Sequence, residues 1–226
     1  MIASRIFGAL RRRALWADRG GFALTEFAMA APLVLTMGVL GLEAANLMLA
    51  HMRVSQVAAN LADTVSRLGE ASPLGMTIIR ESDINDAFEA VRLQSGNYDI
   101  TQRGRVILSS LEQNSAGNQW IHWQRCVGLA NYPSTYGVAG DGALGRPVIT
   151  GMGPVGKQIR APANSAVMFV EITYNYRHLI TTQFGDPTIR VKYAFLVRNR
   201  RDLRPANNPS NPSPAVTPST CNLFTA

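Results

Sequence analysis

One long apolar run dominates the pattern of hydrophobic and polar positions along the chain. Residues 27–42 carry no charged side chain, and after Glu43 the apolar character continues to Ala50. A membrane-spanning helix needs about 20 mostly apolar residues, whereas the apolar region of a secretory signal has roughly 7–15. No A-x-A cleavage site follows the run. The pattern therefore predicts a transmembrane helix.

The helical pattern continues beyond the apolar run. Apolar residues recur every three or four positions, which produces one apolar face of a helix; they are Val54, Val57, Ala58, Leu61, Val65 and Leu68. Gly69 and Pro73 predict the end of this helix, so span and stem together cover about residues 24–68. We expect the chain's own head domain to cover the apolar stripe of the stem. A partner helix is the alternative.

The rest of the chain predicts an α+β head over residues 69–204. A short helix is expected with Ser82 or Asp83 as its N-cap and Gly96 at its end. Four segments alternate between apolar and polar positions, which predicts an antiparallel sheet of about four strands; they are 105–111, 120–127, 166–178 and 188–199. Residues 184–187 predict the turn between the last two strands.

Two further segments are predicted to lack regular elements. Residues 128–164 are rich in Gly, Pro and Ala and predict a long connection that carries contacts. Residues 205–226 form a proline-rich C-terminal tail, which we expect to be a loop or an extended cover without packing power of its own.

Basic residues are concentrated at the N-terminus. Residues 1–21 contain five arginines and one aspartate, out of a net charge of +7 for the whole chain. Basic residues flanking a span fix its orientation with that side in the cytoplasm. Residues 1–21 are therefore expected to be a cytoplasmic leader, with the head across the membrane. A nucleic-acid-binding protein would carry its basic residues on a folded face, so no nucleic-acid partner is expected.

The residues that lead into the apolar run form an ordered set. A basic tail precedes Gly21, the aromatic Phe22 follows, and Glu26 is the fifth residue counted from Phe22. This set resembles the processing site of type IV prepilins and pseudopilins. The resemblance implies that a prepilin peptidase cuts between Gly21 and Phe22 and that Glu26 aids assembly. The alternative is an uncleaved signal anchor.

The chemistry of these residues suits such a site. Glycine lets the backbone enter a narrow protease cleft in an extended form. After the cut, Phe22 would carry a new α-ammonium group at the membrane interface. A carboxylate such as Glu26, in the same subunit or a neighbouring one, can neutralise that charge and also suits the helix dipole.

A longer stretch of residues shows which group of pseudopilins the chain resembles most. The stretch E-F-A-x-x-x-P-L-V-L starts at Glu26 and includes Pro32, and a second acidic residue, Glu43, follows near the end of the run. About residues 19–68 resemble the N-terminal domain of TadE-like pseudopilins of the tight-adherence pilus system. The family often has an arginine shortly after the second glutamate, where this chain has residues 44–46, Ala-Ala-Asn.

The TadE-like resemblance implies a domain organisation and a set of partners. The leader is 1–21, the transmembrane and stem helix 22–68, the periplasmic head 69–204 and the tail 205–226. The expected partners are a prepilin peptidase, other pilins, inner-membrane platform proteins and the lipid bilayer. The chain is expected in a bacterial inner membrane, and a place in the surface pilus is left open.

Two residues inside the span need an explanation. Pro32 removes a backbone donor and predicts a kink or a looser helix. Glu43 lies in the far third of the span, where a carboxylate costs up to a few kcal/mol to insert. Two interpretations of Glu43 stay open: it is hydrated near the surface, or it pairs with a basic or polar group on a partner helix.

The two cysteines, Cys126 and Cys221, could form a disulfide bond if the head lies outside the cytoplasm. Such a bond would pin the tail to the sheet. The alternative is two buried free thiols.

The sequence contains no recognisable catalytic motif. It lacks G-x-S-x-G, the phosphate-binding G-x-x-x-x-G-K-[ST], H-E-x-x-H and C-x-x-C. His122, between two tryptophans, is expected to be a structural or a surface residue. We therefore expect no enzyme activity, no metal and no cofactor. Besides the tight-adherence pilus, two functions remain as alternatives: a minor pseudopilin of a type II secretion or competence system, and an unprocessed signal-anchored periplasmic binding domain.

Overall fold

One long helix begins the part of the chain that the computed structural model describes, which is residues 20–71, 75–180, 185 and 187–226. This helix, α1, extends over Gly20–Arg67. It starts about one turn earlier than predicted, so Gly20 and Gly21 belong to its first turn. Residues 1–19, which hold most of the predicted leader, lie outside the described residues.

The described residues form two compact units. The first contains α1 up to Asn46 together with Leu179 and Ile180. The second contains the remainder of α1 and the head.

The head is built on one antiparallel sheet of four strands, as predicted. The strands are β3 (Gly104–Gln113), β4 (Gln119–Val127), β5 (Val167–Asn175) and β6 (Thr188–Leu196). Their spatial order is β4-β3-β5-β6. The register aligns apolar residues across the sheet: Val106 with Val127, Leu108 with Val170, and Ile172 with Val191. The fold class α+β is confirmed.

Short elements connect α1 to the sheet. They are β1 (Glu70–Ala71), which pairs with β2 (Thr77–Ile78), then α2 (Glu81–Ser95), a 3₁₀ turn (Gly96–Tyr98) and α3 (Ile100–Arg103).

The predicted N-cap of α2 is wrong, because the cap position is Arg80 and neither Ser82 nor Asp83. The Asp83 carboxylate instead accepts a hydrogen bond from the Arg80 backbone N–H at 3.0 Å. Asp83 therefore supplies the reciprocal half of a capping box from inside the helix. The predicted end of α2 at Gly96 is confirmed.

The main core lies between one face of the sheet and the helices. The stripe of the stem is buried there as predicted; Val54, Val57, Ala58, Leu61 and Val65 are each at most 3 % exposed. The head's contribution to the same core includes Ile84, Phe88, Leu108, Met168 and Val170. The chain's own head thus covers the stem.

The opposite face of the sheet is covered by the long connection between β4 and β5. Leu111, Ile121, Met152 and Phe169 form this second core with Tyr136 and Ile149 packed against it. The connection approaches β4 so closely that a Cβ atom at Gly142 would lie 2.1 Å from the Gln119 carbonyl oxygen. Because the φ of Gly142 is also +89°, glycine is required there. The prediction that this connection carries contacts is confirmed.

The C-terminal tail covers part of the head and is held there by hydrogen bonds. Its Ser210 exchanges backbone hydrogen bonds of 2.8 Å with the Ile79 carbonyl and the Glu81 N–H. The Cys126 N–H donates to the Ser219 carbonyl at 2.7 Å. Asn208 is buried, at 2 % exposure. Half of the predicted turn at 184–187 falls outside the described residues, which include Gly185 and Pro187 of it.

Candidate functional site

The first half of α1 exposes a continuous apolar surface. Nine of its large apolar side chains are more than half exposed: Phe22, Leu24, Phe27, Met29, Leu33, Val34, Leu35, Met37 and Leu42. In water, leaving a side chain of this kind exposed costs about 1.5–3 kcal/mol relative to burial. An apolar medium or partner is therefore required along this half of the helix.

Among the described residues, α1 is the helix long and apolar enough to cross a membrane by length and composition. Its most apolar 18-residue window has a mean hydropathy of 1.8, and only 11 % of that window is buried. The core helix of a soluble protein would be mostly buried. The low burial thus separates this segment from a core helix.

The structure places the predicted processing residues together at the start of this surface. Gly21, Phe22 and Glu26 are all exposed. The bond between Gly21 and Phe22 lies in the first turn of α1, where the Thr25 hydroxyl donates to the Phe22 carbonyl at 2.8 Å. A Cβ atom added at Gly21 would meet no atom within 4 Å. The described part of the chain therefore does not crowd a Cβ atom at this position.

Glu26 lies outside the first turn of the intact helix, which contains no acidic residue. Removal of residues 1–21 would move the helix start to Phe22. Only then would the Glu26 carboxylate come close enough to the helix terminus to stabilise the exposed N–H groups.

Pro32 does not interrupt α1. The helix continues through it to Arg67, and the Thr36 hydroxyl donates to the Pro32 carbonyl at 2.7 Å. Proline has no N–H, so the carbonyl of residue 28 lacks its usual helical donor. The helix is thus continuous through Pro32 and has one backbone hydrogen bond fewer there.

Glu43 is fully buried, in an arrangement that neither interpretation from the sequence anticipated. Its carboxylate accepts hydrogen bonds from the chain's own backbone: from the Leu179 N–H at 3.2 Å to each oxygen, and from the Ile180 N–H at 2.8 Å. These donors follow β5 in the chain. They supply the partners that a carboxylate inside an apolar segment requires.

The two cysteines form a disulfide bond, as expected, with Cα atoms 4.7 Å apart. The tail beyond it is held by Arg105, whose guanidinium donates to the carbonyls of Gly128 and Cys221 at 2.6 Å and of Leu223 at 2.8 Å. Burial lowers the pKa of Arg105. The bond and the arginine together fix the C-terminus against the head.

His122 belongs to a buried hydrogen-bonded cluster that the sequence did not reveal. Its Nδ1 atom lies 2.9 Å from the Glu112 carboxylate, which also accepts from Ser110 at 2.6 Å and from Asn208 at 2.8 Å. Ser110 thus bonds to the carboxylate, in an arrangement unlike that of a serine nucleophile with its histidine base. The cluster joins the tail to β3 and β4, which is a structural role.

Within the described ranges, no group of three or more His, Cys, Asp or Glu side chains is arranged to hold a metal ion. Comparison of the chain with protein-family models, with curated proteins and with solved structures found no match.

Proposed function

We propose that the chain is a pseudopilin-like, non-enzymatic component of tight-adherence pilus assembly, which a prepilin peptidase processes between Gly21 and Phe22. One observation carries this proposal. Gly21, Phe22 and Glu26 stand in the order of a prepilin processing site, at the start of a helix half whose apolar side chains are exposed.

In this proposal the apolar half of α1 crosses the inner membrane. The arginine-rich leader lies in the cytoplasm and the head in the periplasm, in agreement with the rule that positive charge stays inside. The disulfide bond supports this orientation, since such bonds persist in oxidising compartments and are rare in the cytoplasm.

The first turn of α1 can unwind easily, as is required by a protease that needs an extended substrate. Glycine in a helix costs about 1 kcal/mol relative to alanine. The first four N–H groups of a helix also lack helical partners. Unwinding the turn that contains Gly20 and Gly21 is therefore easier than unwinding a regular turn in the interior of α1.

After processing, Phe22 carries the α-ammonium group and Glu26 the nearest carboxylate along the chain. Their attraction, within one subunit or between two, sets the axial position of one helix against another. The exposed apolar side chains of residues 22–42 then pack against the equivalent helices of other pilins, which replace lipid as the apolar partner.

Complementation of a strain that lacks the chain tests this function. The variants are Gly21→Arg, its matched control Gly20→Arg and Glu26→Gln. The measurements are surface pili sheared from cells, attachment to a surface and secretion of extracellular proteins. We expect wild type and Gly20→Arg to restore pili and attachment. Gly21→Arg should restore neither, and Glu26→Gln should be processed yet restore less than a tenth of the pili.

Other outcomes would favour other functions. Loss of secretion with normal pili would identify a pseudopilin of a secretion system and contradict the proposal. Full restoration of pili by Gly21→Arg would show that processing is not needed and would favour a signal-anchored binding domain. A Cβ atom at Gly21 would meet no described atom within 4 Å, and detection of the Gly21→Arg protein in the membrane fraction controls for loss of folding.

A further inference from the structure

We infer that Leu179 and Ile180 form a second membrane contact, in which their side chains insert into lipid beside the α1 span. This inference rests on the proposed function, because it requires α1 to lie in a bilayer. The contact is named here the apolar tip and consists of these two residues.

The side chains of the apolar tip are exposed. Leu179 is 63 % exposed and Ile180 is 52 % exposed, although both are large and aliphatic. They belong to the same compact unit as α1 up to Asn46, whereas the strands that flank them belong to the head. The tip therefore belongs with the apolar half of α1 and not with either core of the head.

Glu43 fixes the position of the apolar tip. Its carboxylate accepts the N–H groups of both residues, at 3.2 Å and 2.8 Å. Because Glu43 lies within the apolar run of residues 27–50, these bonds hold the tip at the level of that run. Backbone N–H groups in lipid must be satisfied internally, and the carboxylate satisfies these two.

Lipid is the occupant that these observations favour. The tip is bonded to Glu43, and Leu42, the neighbour of Glu43 in the chain, is also exposed, at 59 %. Arg177, two residues before the tip, is exposed and carries the positive charge that lipid phosphates attract. An apolar pair next to a basic residue is the composition expected of a segment at a membrane interface.

A single engineered cysteine tests the tip in the full-length chain. Both native cysteines are in the disulfide bond, so Ile180→Cys supplies the one free thiol for an environment-sensitive fluorophore. The labelled protein is reconstituted in phospholipid vesicles and quenched in turn by a lipid-borne nitroxide and by iodide in water. Met29→Cys, in the span, and Leu144→Cys, in the head, are matched controls, since both native side chains are highly exposed.

The expected result is that the label at position 180 behaves like the label at position 29, with blue-shifted emission and quenching from lipid. If it behaves like the label at position 144 while position 29 reports lipid, the inference is overturned and the proposed function stands. If positions 29 and 180 are both quenched from water, α1 is not in the membrane, and the proposed function fails together with the inference.

Variants of Glu43 test the anchor of the tip. In the Ile180→Cys background, Glu43→Leu removes both acceptor oxygens, and we expect the label to lose its lipid quenching. Glu43→Gln keeps one acceptor oxygen and should retain an intermediate signal. An unchanged lipid signal in Glu43→Leu would overturn the role of Glu43 in the inference.

Discussion

The two halves of α1 are both rich in apolar residues, yet only the second half buries a stripe of them in the core. Val34 in the first half is 64 % exposed, whereas Val57 in the second half is 1 % exposed. The first half is apolar on all sides, while the second has one apolar stripe between polar residues. A helix that is apolar all round needs a surrounding apolar medium, but a striped helix needs only one covering face. The distribution of apolar residues, more than their number, thus separates the two environments.

The largest effect is expected from removal of the disulfide bond, which stabilises the head but not the exposed half of α1. The disulfide joins cysteines 95 residues apart, so the double variant Cys126→Ser with Cys221→Ser should lose about 4 kcal/mol in free energy of unfolding of the head. Denaturant unfolding in detergent measures the loss. Resistance of the protein to alkaline extraction from membranes should stay unchanged, and a decrease would contradict separate stabilisation of the two regions.

A positive charge should disturb membrane insertion when it is placed in the first half of α1 but not when it is placed in the second half. Leu35 and Met52 are both exposed, at 67 % and 56 %. Leu35→Arg should make membrane insertion less favourable by about 3 kcal/mol, because arginine is costly at the centre of a span. Met52→Arg should insert like wild type. The fraction that resists alkaline extraction provides the comparison, and equal behaviour of the two variants would remove the distinction between the halves.

A smaller change sharpens the same contrast. Val57→Ala removes two methyl groups from the core and should lower the free energy of unfolding of the head by about 2 kcal/mol. Val34→Ala, the same substitution in the exposed half, should change it by less than about 0.5 kcal/mol. Both are measured by denaturant unfolding in detergent. A large effect of Val34→Ala would show that the first half of α1 is part of the folded core.

The smallest expected effect concerns acid sensitivity, which should be confined to the head. The hydrogen bond from Arg204 holds the pKa of Asp202 well below its usual range, with a further contribution from Asn207. Since the folded state favours the ionised form, this stabilisation is complete above the unfolded pKa of about 3.9 and is lost as the pH falls below it.

Asp202→Asn should therefore lower the melting temperature at pH 7 and flatten its decline below pH ~4. Asp86→Asn, at an exposed position of α2, is the matched control and should follow wild type. If the melting temperature of Asp202→Asn fell below pH ~4 as steeply as that of wild type, other groups would be responsible for the acid sensitivity.

Periodic patterns made most of the fold predictable. The stem stripe at Val54, Val57 and Leu61 is buried in the core, and the four alternating segments form the four strands of the sheet. The alternation did not reveal that β3 and β5 are buried on both faces. The cysteine pairing followed from the expectation that the head lies outside the cytoplasm, since disulfide bonds persist in oxidising compartments.

The contacts that sequence reasoning missed are formed between distant segments of backbone. Glu43 meets the N–H of Leu179, 136 residues away, and any residue except proline could supply that donor. Ser210 likewise pairs with Ile79 and Glu81 through its backbone. The cap of α2 was missed because Arg80 is not a side chain that favours N-caps. None of these contacts produces a periodic pattern of residues in the sequence.

The mature N-terminus of the membrane-purified protein is the most direct test of the central claim. It is measured by intact mass and N-terminal sequencing from cells with and without an active prepilin peptidase. The account predicts a chain that starts at Phe22 when the peptidase is active and a full-length chain when the peptidase is absent or Gly21→Arg is introduced. A chain that starts at residue 1 or 2 in cells with active peptidase would contradict the account.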